Sequence, residues 1–323
     1  MTQVQTVRGP VDSGALGRTL MHEHIFVLTP EVQQNHDEWD EQARIDDAVT
    51  KLTELKNAGY DTIVDPTVIG LGRYIPRIEK IAAQVDLNIV VATGVYTYDS
   101  VPFYFEHKGP ALSPDLPEPM VDMFVRDLTE GIPGTAVKAA FLKCAIDHYG
   151  MTKDVERIMR AVAKAHRQTG APITVHTHPA SKSGLEAHRV LADEGVDPTR
   201  VVLGHSGDST DADHLSELAE LGYTLGMDRF GINVTTPFEG RVEVVAELAR
   251  RGYAGNMVLA HDAACYIDWV DQGLKPVVLP DWHYLHIEND VLPALRERGV
   301  TDEQIDQMLV GNPRRYFENV GAY

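Results

Sequence analysis

Two His-x-His pairs, His22 with His24 and His176 with His178, carry the clearest chemical potential in this sequence. Each pair lies in a short apolar run, TLMHEHI or PITVHTH, of the kind that forms a buried β-strand. Because residues i and i+2 of a strand share a face, the two imidazoles of a pair point in the same direction. Neighbouring imidazoles that face inward are costly unless both bind something. The spacing therefore suggests metal ligands, with a hydrogen-bonded core pair as the alternative.

Further polar residues end other apolar runs. His205 ends VVLGHSG, and the adjacent His261 and Asp262 stand near the end of MVLAHDAA. Strand alternation lets only one of His261 and Asp262 face inward. A carboxylate that completes an imidazole-rich site suits zinc, cobalt, iron or manganese. Taken singly, each of these residues could be an ordinary polar loop residue. As a set at the ends of strand-like runs, they indicate a metal site.

Lys143 lies in the apolar run AAFLKCAID, where an ammonium must be paired or neutralised. An ammonium has no lone pair for a cation, so the unmodified side chain cannot be a ligand. A carbamate formed with CO2 could bridge two metals. From spacing alone a salt bridge from Lys143 to Asp147 or to a loop carboxylate is favoured, because ion pairing is the usual state of a buried lysine.

A Ser/His/Asp triad is a competing chemistry, since Ser206 stands beside His205. A nucleophilic serine of that type typically sits in a Gly-x-Ser-x-Gly turn, and the sequence contains none. Metal chemistry is therefore the favoured interpretation.

The elements that must position these residues alternate along the chain. The strand-like runs are rich in Val, Ile and Leu, which is typical of parallel strands buried on both faces; they cover 19–25, 62–67, 88–96, 139–147, 172–178, 201–207, 224–231 and 257–264. Helical patterns between them each end in glycine, the expected C-terminal stop; they cover 46–59, 154–170, 183–195, 211–222 and 239–252.

Strict alternation of strand and helix predicts a single α/β domain over 1–323, a (β/α)8 TIM barrel with its metal site at the C-terminal face of the strands. An open doubly wound sheet would need a Gly-rich phosphate loop, which these runs lack. The residues before the first strand are expected to cap the bottom of the barrel. The Pro- and aromatic-rich segment 97–138 is expected to form a structured loop over its mouth, and 302–317 a final helix.

The composition of the chain excludes several kinds of binding partner and site. With a formal net charge of −19 the chain is unsuited to nucleic acid or anionic membranes. The two cysteines, Cys144 and Cys265, make neither a disulfide framework nor a zinc site of the cysteine type. No secretory signal and no apolar run long enough for a membrane span is present, so a soluble cytoplasmic protein is expected.

The motifs as a set resemble the phosphotriesterase group of the amidohydrolase superfamily, and within it the phosphotriesterase-like lactonases. The resemblance covers nearly the whole chain, in the family's order. The matching segments are TVRGPVDSGALGRTLMHEH (6–24), VVATGVYTYDSVPFYF (90–105), FLKCAID (141–147), ITVHTHP (173–179), LGHSGD (203–208), GMDRFG (226–231), VLAHDAAC (258–265) and NPRRYF (312–317).

The resemblance implies two divalent metal ions, most typically zinc, that share a bridging hydroxide. It makes His22, His24 and Asp262 ligands of the more buried ion, His176 and His205 ligands of the more exposed ion, and Lys143 the carboxylated lysine (N6-carboxylysine) that bridges both. This reverses the salt-bridge interpretation of Lys143 and places His178 outside the ligand set.

Other matching positions distinguish subgroups. Tyr96 matches a lactonase tyrosine near the bridging hydroxide, where phosphotriesterases carry tryptophan. Asp228 and Arg229 match the lactonase motif of the seventh strand, where about seven residues are expected before the next helix. Trp269 matches an aromatic that lines an acyl-chain groove. Ala263 departs from the pattern, because many lactonases have a bulky residue there, which leaves the chain-length preference open.

The implied activity is hydrolysis of lactones, chiefly N-acyl-homoserine lactones and related γ- and δ-lactones, with weak phosphotriester hydrolysis. In this mechanism the hydroxide attacks a carbonyl polarised by the exposed metal, with Tyr96 as a hydrogen-bond donor. Asp262 takes the hydroxide proton and passes it to the leaving ring oxygen. Arg229 orients Asp228 or the loop, or is a structural ion pair.

The alternative functions are those of a dedicated phosphotriesterase, a non-catalytic metal-binding barrel and a hydrolase of another substrate. A homodimer is implied by the resemblance alone.

Overall fold

Eight parallel strands form a nearly closed barrel, which confirms the predicted fold. The computed structural model describes residues 2–36, 39–318 and 321–323. Its strands are β1 (Gln3–Thr6), β2 (Gly9–Asp12), β3 (Thr19–Leu20), β4 (His24–Val27), β5 (Thr62–Asp65), β6 (Asn88–Gly94), β7 (Phe141–Ala145), β8 (Ile173–His176), β9 (Val201–Gly204), β10 (Thr224–Met227), β11 (Met257–Leu259) and β12 (Ala264–Ile267).

The barrel strands follow one another in chain order, β3–β5–β6–β7–β8–β9–β10–β11. The Met21 amide donates to the Leu259 carbonyl at 3.3 Å, which brings the two end strands of this order together. Past this junction β4 and β12 pair in parallel, with Ala264 opposite His24. The C-terminal ends of the first and eighth barrel segments are therefore held side by side.

Helices surround the barrel and follow its strands. They are α1 (Pro30–Asn35), α2 (Glu41–Asn57), α3 (Ile75–Ala82), α4 (Phe103–Glu106), α5 (Pro119–Thr129), α6 (Lys153–Thr169), α7 (Ser183–Asp193), α8 (Ala212–Glu220), α9 (Phe238–Arg250), α10 (Lys275–Val278), α11 (Leu292–Glu297), α12 (Asp302–Asp306) and α13 (Asn312–Glu318). The predicted final helix over 302–317 is present as a continuous helical run, in which a π-helical turn at Gln307–Gly311 joins α12 to α13. No helix among the described residues combines the length and apolarity needed to cross a membrane.

Helix α6 illustrates how the local sequence sets these elements. The Thr152 hydroxyl accepts a hydrogen bond from the Val155 amide and caps the N-terminus. Val155, Ile158 and Val162 are buried at helical spacing and pack into the core. Gly170, at φ 75°, ends the helix in the left-handed conformation, as its position predicts.

The predicted cap below the barrel is present. Strands β1 and β2 form an antiparallel hairpin in front of the first barrel strand. The Val7 amide in its turn donates to the Ile89 carbonyl at 2.9 Å, and Ile89 lies at the start of β6. The hairpin therefore covers the N-terminal end of the barrel.

Several sequence-based boundaries were wrong. The first strand is not continuous over 19–25: it stops at Leu20, His22 lies in a bend, and β4 starts at His24. The segment 97–138 is not one loop, because its second half forms α5, whose buried Phe124 packs into the core and whose first residue is Pro119. Ten residues, 228–237, separate β10 from α9, because the strand ends at Met227 rather than at residue 231.

Candidate metal centre

One pocket at the C-terminal ends of the barrel strands collects the predicted site residues. It has a cavity volume of about 200 Å³. The predicted residues that line it are His22, His24, Tyr96, Lys143, His176, His205, Arg229, Asp262 and Trp269. Residues from positions 22 to 269 of the chain thus meet at one end of the barrel, where active sites of this architecture lie.

Asp262 lies at the centre of one group of ligand atoms. Its Oδ1 is 3.3 Å from His22 Nε2 and 3.2 Å from His24 Nε2. One ligand atom each from His22, His205 and Asp262 lie within 4.8 Å of one another, which is close enough to share a cation. Burial raises the pKa of Asp262, but the neighbouring imidazoles and Arg229 outweigh this effect and hold the pKa well below its ordinary value. The carboxylate is therefore ionised and able to ligate.

His176 and His205 form a second group beside the first. His176 Nδ1 lies 2.7 Å from His205 Nε2. Burial lowers the pKa of both imidazoles, that of His176 to about 4. Neutral rings keep a lone pair on one nitrogen, which is the form that binds a cation.

The remaining ring nitrogens point outward to fixed partners. His22 Nδ1 and His205 Nδ1 lie 2.9 Å and 3.0 Å from the two oxygens of the Asp228 carboxylate. His176 Nε2 contacts Asp147, and His24 Nδ1 lies 2.7 Å from the Thr67 hydroxyl. An imidazole held at one nitrogen presents the other in a fixed direction, as metal-binding histidines do. The donor set therefore fits divalent cations.

His24 differs from the other three imidazoles in its protonation. Burial lowers its pKa, but the hydrogen bonds to Asp262 and Asp65 outweigh this and raise the pKa to about 9. The ring is then protonated at neutral pH, so a cation bound there would displace a proton.

Lys143 is the buried amine of the pocket. Its side chain is 1% exposed, and within the described ranges Nζ has no hydrogen-bond partner. Burial lowers the pKa of Lys143 to about 8, which increases the fraction of the neutral amine. The neutral amine is the form that adds to the carbon of CO2, with loss of a proton, to give a carbamate. The salt bridge to Asp147 that spacing alone favoured is not formed, because that carboxylate contacts His176 and His148 instead.

Arg229 orients Asp262 rather than Asp228. Its Nε donates to Asp262 Oδ2 at 3.0 Å, and a terminal nitrogen donates to Asp208 Oδ2 at 3.0 Å. Asp208 is held in turn by Arg241 at 2.6 Å. The guanidinium thus fixes the oxygen of Asp262 that does not face His22 and His24.

Tyr96 closes one side of the pocket. Its hydroxyl lies 2.5 Å from the Tyr98 hydroxyl and 3.5 Å from His176 Nδ1. Burial, together with Tyr98, raises the pKa of Tyr96 well above its ordinary value. The phenol therefore keeps its proton and is a potential donor to a substrate oxygen.

Two sequence alternatives find no support in the contacts. His178 is not among the pocket-lining residues, and its Nδ1 lies 3.1 Å from the Ser181 hydroxyl. The Ser206 hydroxyl donates to the Leu203 carbonyl at 2.7 Å rather than to an imidazole. The contacts therefore agree with leaving His178 out of the ligand set and with setting aside a serine triad.

Sequence reasoning missed the residues that hold the imidazoles from behind. Asp147 was predicted only as a partner of Lys143. No contact of Asp228 with His22 or His205 was predicted, and Thr67 was not considered. Asp147 and Thr67 each end a strand-like run, so the same strand-end rule that selected the ligands was available for them.

Gly226 leaves the space that the Asp228 carboxylate occupies. A Cβ at Gly226 would lie 2.5 Å from Asp228 Oδ2, so Gly226→Ala must displace that carboxylate. We expect Gly226→Ala to weaken metal binding by about 10–100-fold, the usual effect of disturbing a partner behind a ligand. Chelator competition on the purified protein measures this. Gly255→Ala is the control, since a Cβ there meets nothing within 4 Å. Equal affinities of the two variants would contradict the prediction.

Comparison with known proteins assigns the family. Residues 2–317 match the profile of the Phosphotriesterase family. The chain belongs to the phosphotriesterase family. Members are metal-dependent hydrolases, typically with a binuclear centre, and the His22, His205 and Asp262 group provides a candidate for such a site in this chain.

The relatives cover the full length of the chain. The "Phosphotriesterase homology protein" of Mycobacterium tuberculosis is 58% identical over 100% of both chains. A solved structure of the phosphotriesterase from Mycobacterium tuberculosis has a TM-score of 0.98 at 57% identity, over 99% of this chain and 100% of that one. An "Aryldialkylphosphatase" of Saccharolobus solfataricus is 37% identical over 95% of this chain and 96% of its own length.

A further solved structure concerns organophosphate hydrolysis activity engineered from a weak promiscuous lactonase template. It has a TM-score of 0.88 at 32% identity, over 98% of this chain and 100% of that one. Relatives linked to phosphotriester hydrolysis and to lactone hydrolysis therefore share this architecture.

Proposed function

We propose that this protein hydrolyses lactones, chiefly N-acyl-homoserine lactones and related γ- and δ-lactones, with weak activity on phosphotriesters. The observation that carries the proposal is the mixed lining of the pocket. Its polar groups are the imidazoles, Lys143 and Asp262. Its apolar lining consists of Val27, Leu71, Ile232, Ile267, Trp269 and Trp282. A lactone ring with an acyl chain likewise has a reactive polar end and an apolar tail.

The proposed ligand sets follow the two groups of imidazoles. His22, His24 and Asp262 would hold one cation, His176 and His205 the other, and a carboxylated Lys143 both. Two divalent cations held there would supply Lewis acidity and lower the pKa of an attacking water. Zinc fits the imidazole-rich donors, and cobalt, iron or manganese are accepted by the same set.

Asp262 is the proposed acid–base residue. The carboxylate accepts the proton of the attacking water and transfers it to the ring oxygen as the ester bond breaks. Its low pKa means that it holds the proton only briefly before the more basic alkoxide takes it. Arg229 keeps the carboxylate ionised and aimed through the contact to Oδ2.

Tyr96 and Trp269 are the proposed substrate contacts. The Tyr96 phenol donates a hydrogen bond to the oxyanion that forms from the lactone carbonyl. The Trp269 ring lies 6.4 Å from the Tyr96 ring, centroid to centroid, and its side chain is half exposed at the pocket mouth. An acyl chain that leaves the polar groups of the pocket would lie against it.

Metal removal tests the proposal. Dialysis against a chelator is expected to abolish opening of an acyl-homoserine lactone, and zinc, cobalt or manganese added with bicarbonate should restore it. Turnover is measured by proton release in weakly buffered solution. Full activity of protein shown to be metal-free would overturn the proposed chemistry, and absence of lactone turnover in the metal-loaded protein would overturn the substrate class.

A dedicated phosphotriesterase is the second candidate, favoured by the 37% identical relative named Aryldialkylphosphatase. The ratio of kcat/KM for an acyl-homoserine lactone to that for a paraoxon-like triester decides between the two. A ratio far above one supports the lactonase, and a ratio far below one the phosphotriesterase. A barrel without catalysis would turn over neither. Homodimerisation stays a prediction from the resemblance.

A further inference from the structure

Glu23 lies between two proposed ligands, yet its side chain belongs to a different contact set. It is 0% exposed and does not line the pocket, unlike its neighbours His22 and His24. Its Oε1 accepts a hydrogen bond from the His261 amide at 2.8 Å, and its Oε2 accepts one from the Ala263 amide at 3.0 Å. The Glu23 carboxylate therefore binds the backbone amides of the residues immediately before and after Asp262.

The backbone of Asp262 needs such hydrogen bonds because its conformation is unfavourable. Its φ is +54°, in the left-handed region that a residue with a Cβ rarely adopts. Such conformations persist where the surroundings over-determine them. The Asp262 amide donates to the His22 carbonyl at 3.0 Å, and the His24 amide to the Ala263 carbonyl at 2.8 Å. Together with the two hydrogen bonds to Glu23, these hydrogen bonds hold the backbone of residues 261–263 in one conformation.

His261 is held by hydrogen bonds at its ring and at its carbonyl group. Its Nε2 accepts a hydrogen bond from the Ile287 amide at 2.9 Å, so that nitrogen carries no proton. The proton is on Nδ1, which donates to Glu23 Oε1 at 2.6 Å. The His261 carbonyl accepts a hydrogen bond from the Trp282 indole at 2.9 Å. Glu23 thus receives three donors from residues 261–263, and His261 is fixed from both sides of its ring.

A buried carboxylate also lies behind the other left-handed ligand. His205 has φ 65°, and its amide donates to Asp228 Oδ1 at 2.7 Å. The same carboxylate oxygen lies 3.0 Å from the His205 ring nitrogen Nδ1. Each of the two left-handed residues of the pocket therefore has a buried carboxyl group beside it: Asp228 accepts the N–H of His205 itself, and Glu23 accepts the N–H groups of the two neighbours of Asp262.

We propose that Glu23, with His261, is the positioning residue for Asp262: it holds the backbone of 261–263 in the conformation that directs the Asp262 carboxylate at His22 and His24. The inference rests on the proposed role of Asp262 as a ligand and proton acceptor. Glu23 does not line the pocket in which substrate and cations would lie. It acts only through the direction of Asp262.

Glu23→Gln tests the inference with little change of shape. The glutamine amide has one acceptor oxygen, so at least one N–H of residues 261–263 faces an NH2 group and is repelled. We expect zinc affinity, measured by chelator competition on the metal-free protein, to fall by about 10–100-fold. Asp127→Asn is the matched control, because Asp127 is 1% exposed and also accepts side-chain donors, from Arg73 and Thr93, but lies outside the pocket. Equal losses of affinity in the two variants would overturn the proposal.

A double-mutant cycle separates positioning from general stability. In an Asp262→Ala background Glu23→Gln is expected to cause no further loss of zinc affinity, since the residue it positions is gone. A further loss of the same size as in the wild type would mean that Glu23 does not act through Asp262. If Glu23→Gln does not fold, His261→Asn, which keeps a donor near Nδ1, is expected to bind zinc more tightly than His261→Leu, and equal affinities would overturn the proposal.

The wild type distinguishes this inference from the proposed function. If the chelated wild type retains full activity, the metal chemistry itself is wrong. If the wild type is metal-dependent and Glu23→Gln binds zinc with unchanged affinity, only the positioning role is wrong.

Discussion

Asp262→Asn is expected to lower kcat/KM for lactone opening by about 10²–10⁴-fold, the usual contribution of a positioned acid–base residue. Asparagine keeps the size of the side chain but removes the charge and the proton-accepting oxygen. In the structure Oδ1 faces His22 and His24 while Oδ2 receives Arg229 at 3.0 Å, so both oxygens are committed. The same variant should also bind metal more weakly, because an amide oxygen is a poorer ligand than a carboxylate.

Steady-state kinetics and metal analysis of the same preparation measure the two effects of Asp262→Asn. Asp197→Asn provides the same chemical change at the opposite end of the barrel, just before β9, and should leave kcat/KM close to that of the wild type. An Asp262→Asn protein that is fully loaded with metal and turns over lactone at the wild-type rate would show that the aspartate moves no proton.

Lys143→Met should abolish the binuclear centre without harming the fold. Methionine is unbranched like lysine and only one atom shorter, but it has no amine and cannot form a carbamate. We expect metal content to fall from two equivalents to one or fewer, and kcat/KM to fall by at least about 100-fold. In the metal-free proteins the melting temperature of Lys143→Met should equal or exceed that of the wild type, because the buried amine has no hydrogen-bond partner among the described residues and its desolvation opposes folding.

The role of Lys143 is tested by measuring metal content and thermal stability on the same variant. Metal content is measured by elemental analysis and stability by thermal unfolding. Lys164→Met, at an exposed position of α6, controls for the loss of one positive charge. A Lys143→Met protein that retains two metal equivalents would contradict the bridging role, and a metal-free Lys143→Met protein less stable than the metal-free wild type would indicate a structural lysine.

The sequence by itself determined the barrel and, together with the family resemblance, the membership of the pocket. Val-, Ile- and Leu-rich runs separated by amphipathic stretches that end in glycine encode strand and helix through contacts with near neighbours, and Gly170 ends α6 where it was expected. The strand-end positions of His22, Lys143, His205 and Asp262 sufficed to predict that these side chains meet, because parallel strands of a closed barrel end at the same face.

Only the tertiary structure decided which partner each of these side chains takes. Asp228 lies 206 positions from His22 and Glu23 lies 238 positions from His261, yet each pair is in hydrogen-bond contact because closing the barrel brings the ends of distant strands together. Asp147 contacts His176 rather than Lys143, and Arg229 contacts Asp262 rather than Asp228. Side-chain direction at a strand end depends on local bends and left-handed residues, such as Asp262, that period-two alternation does not encode.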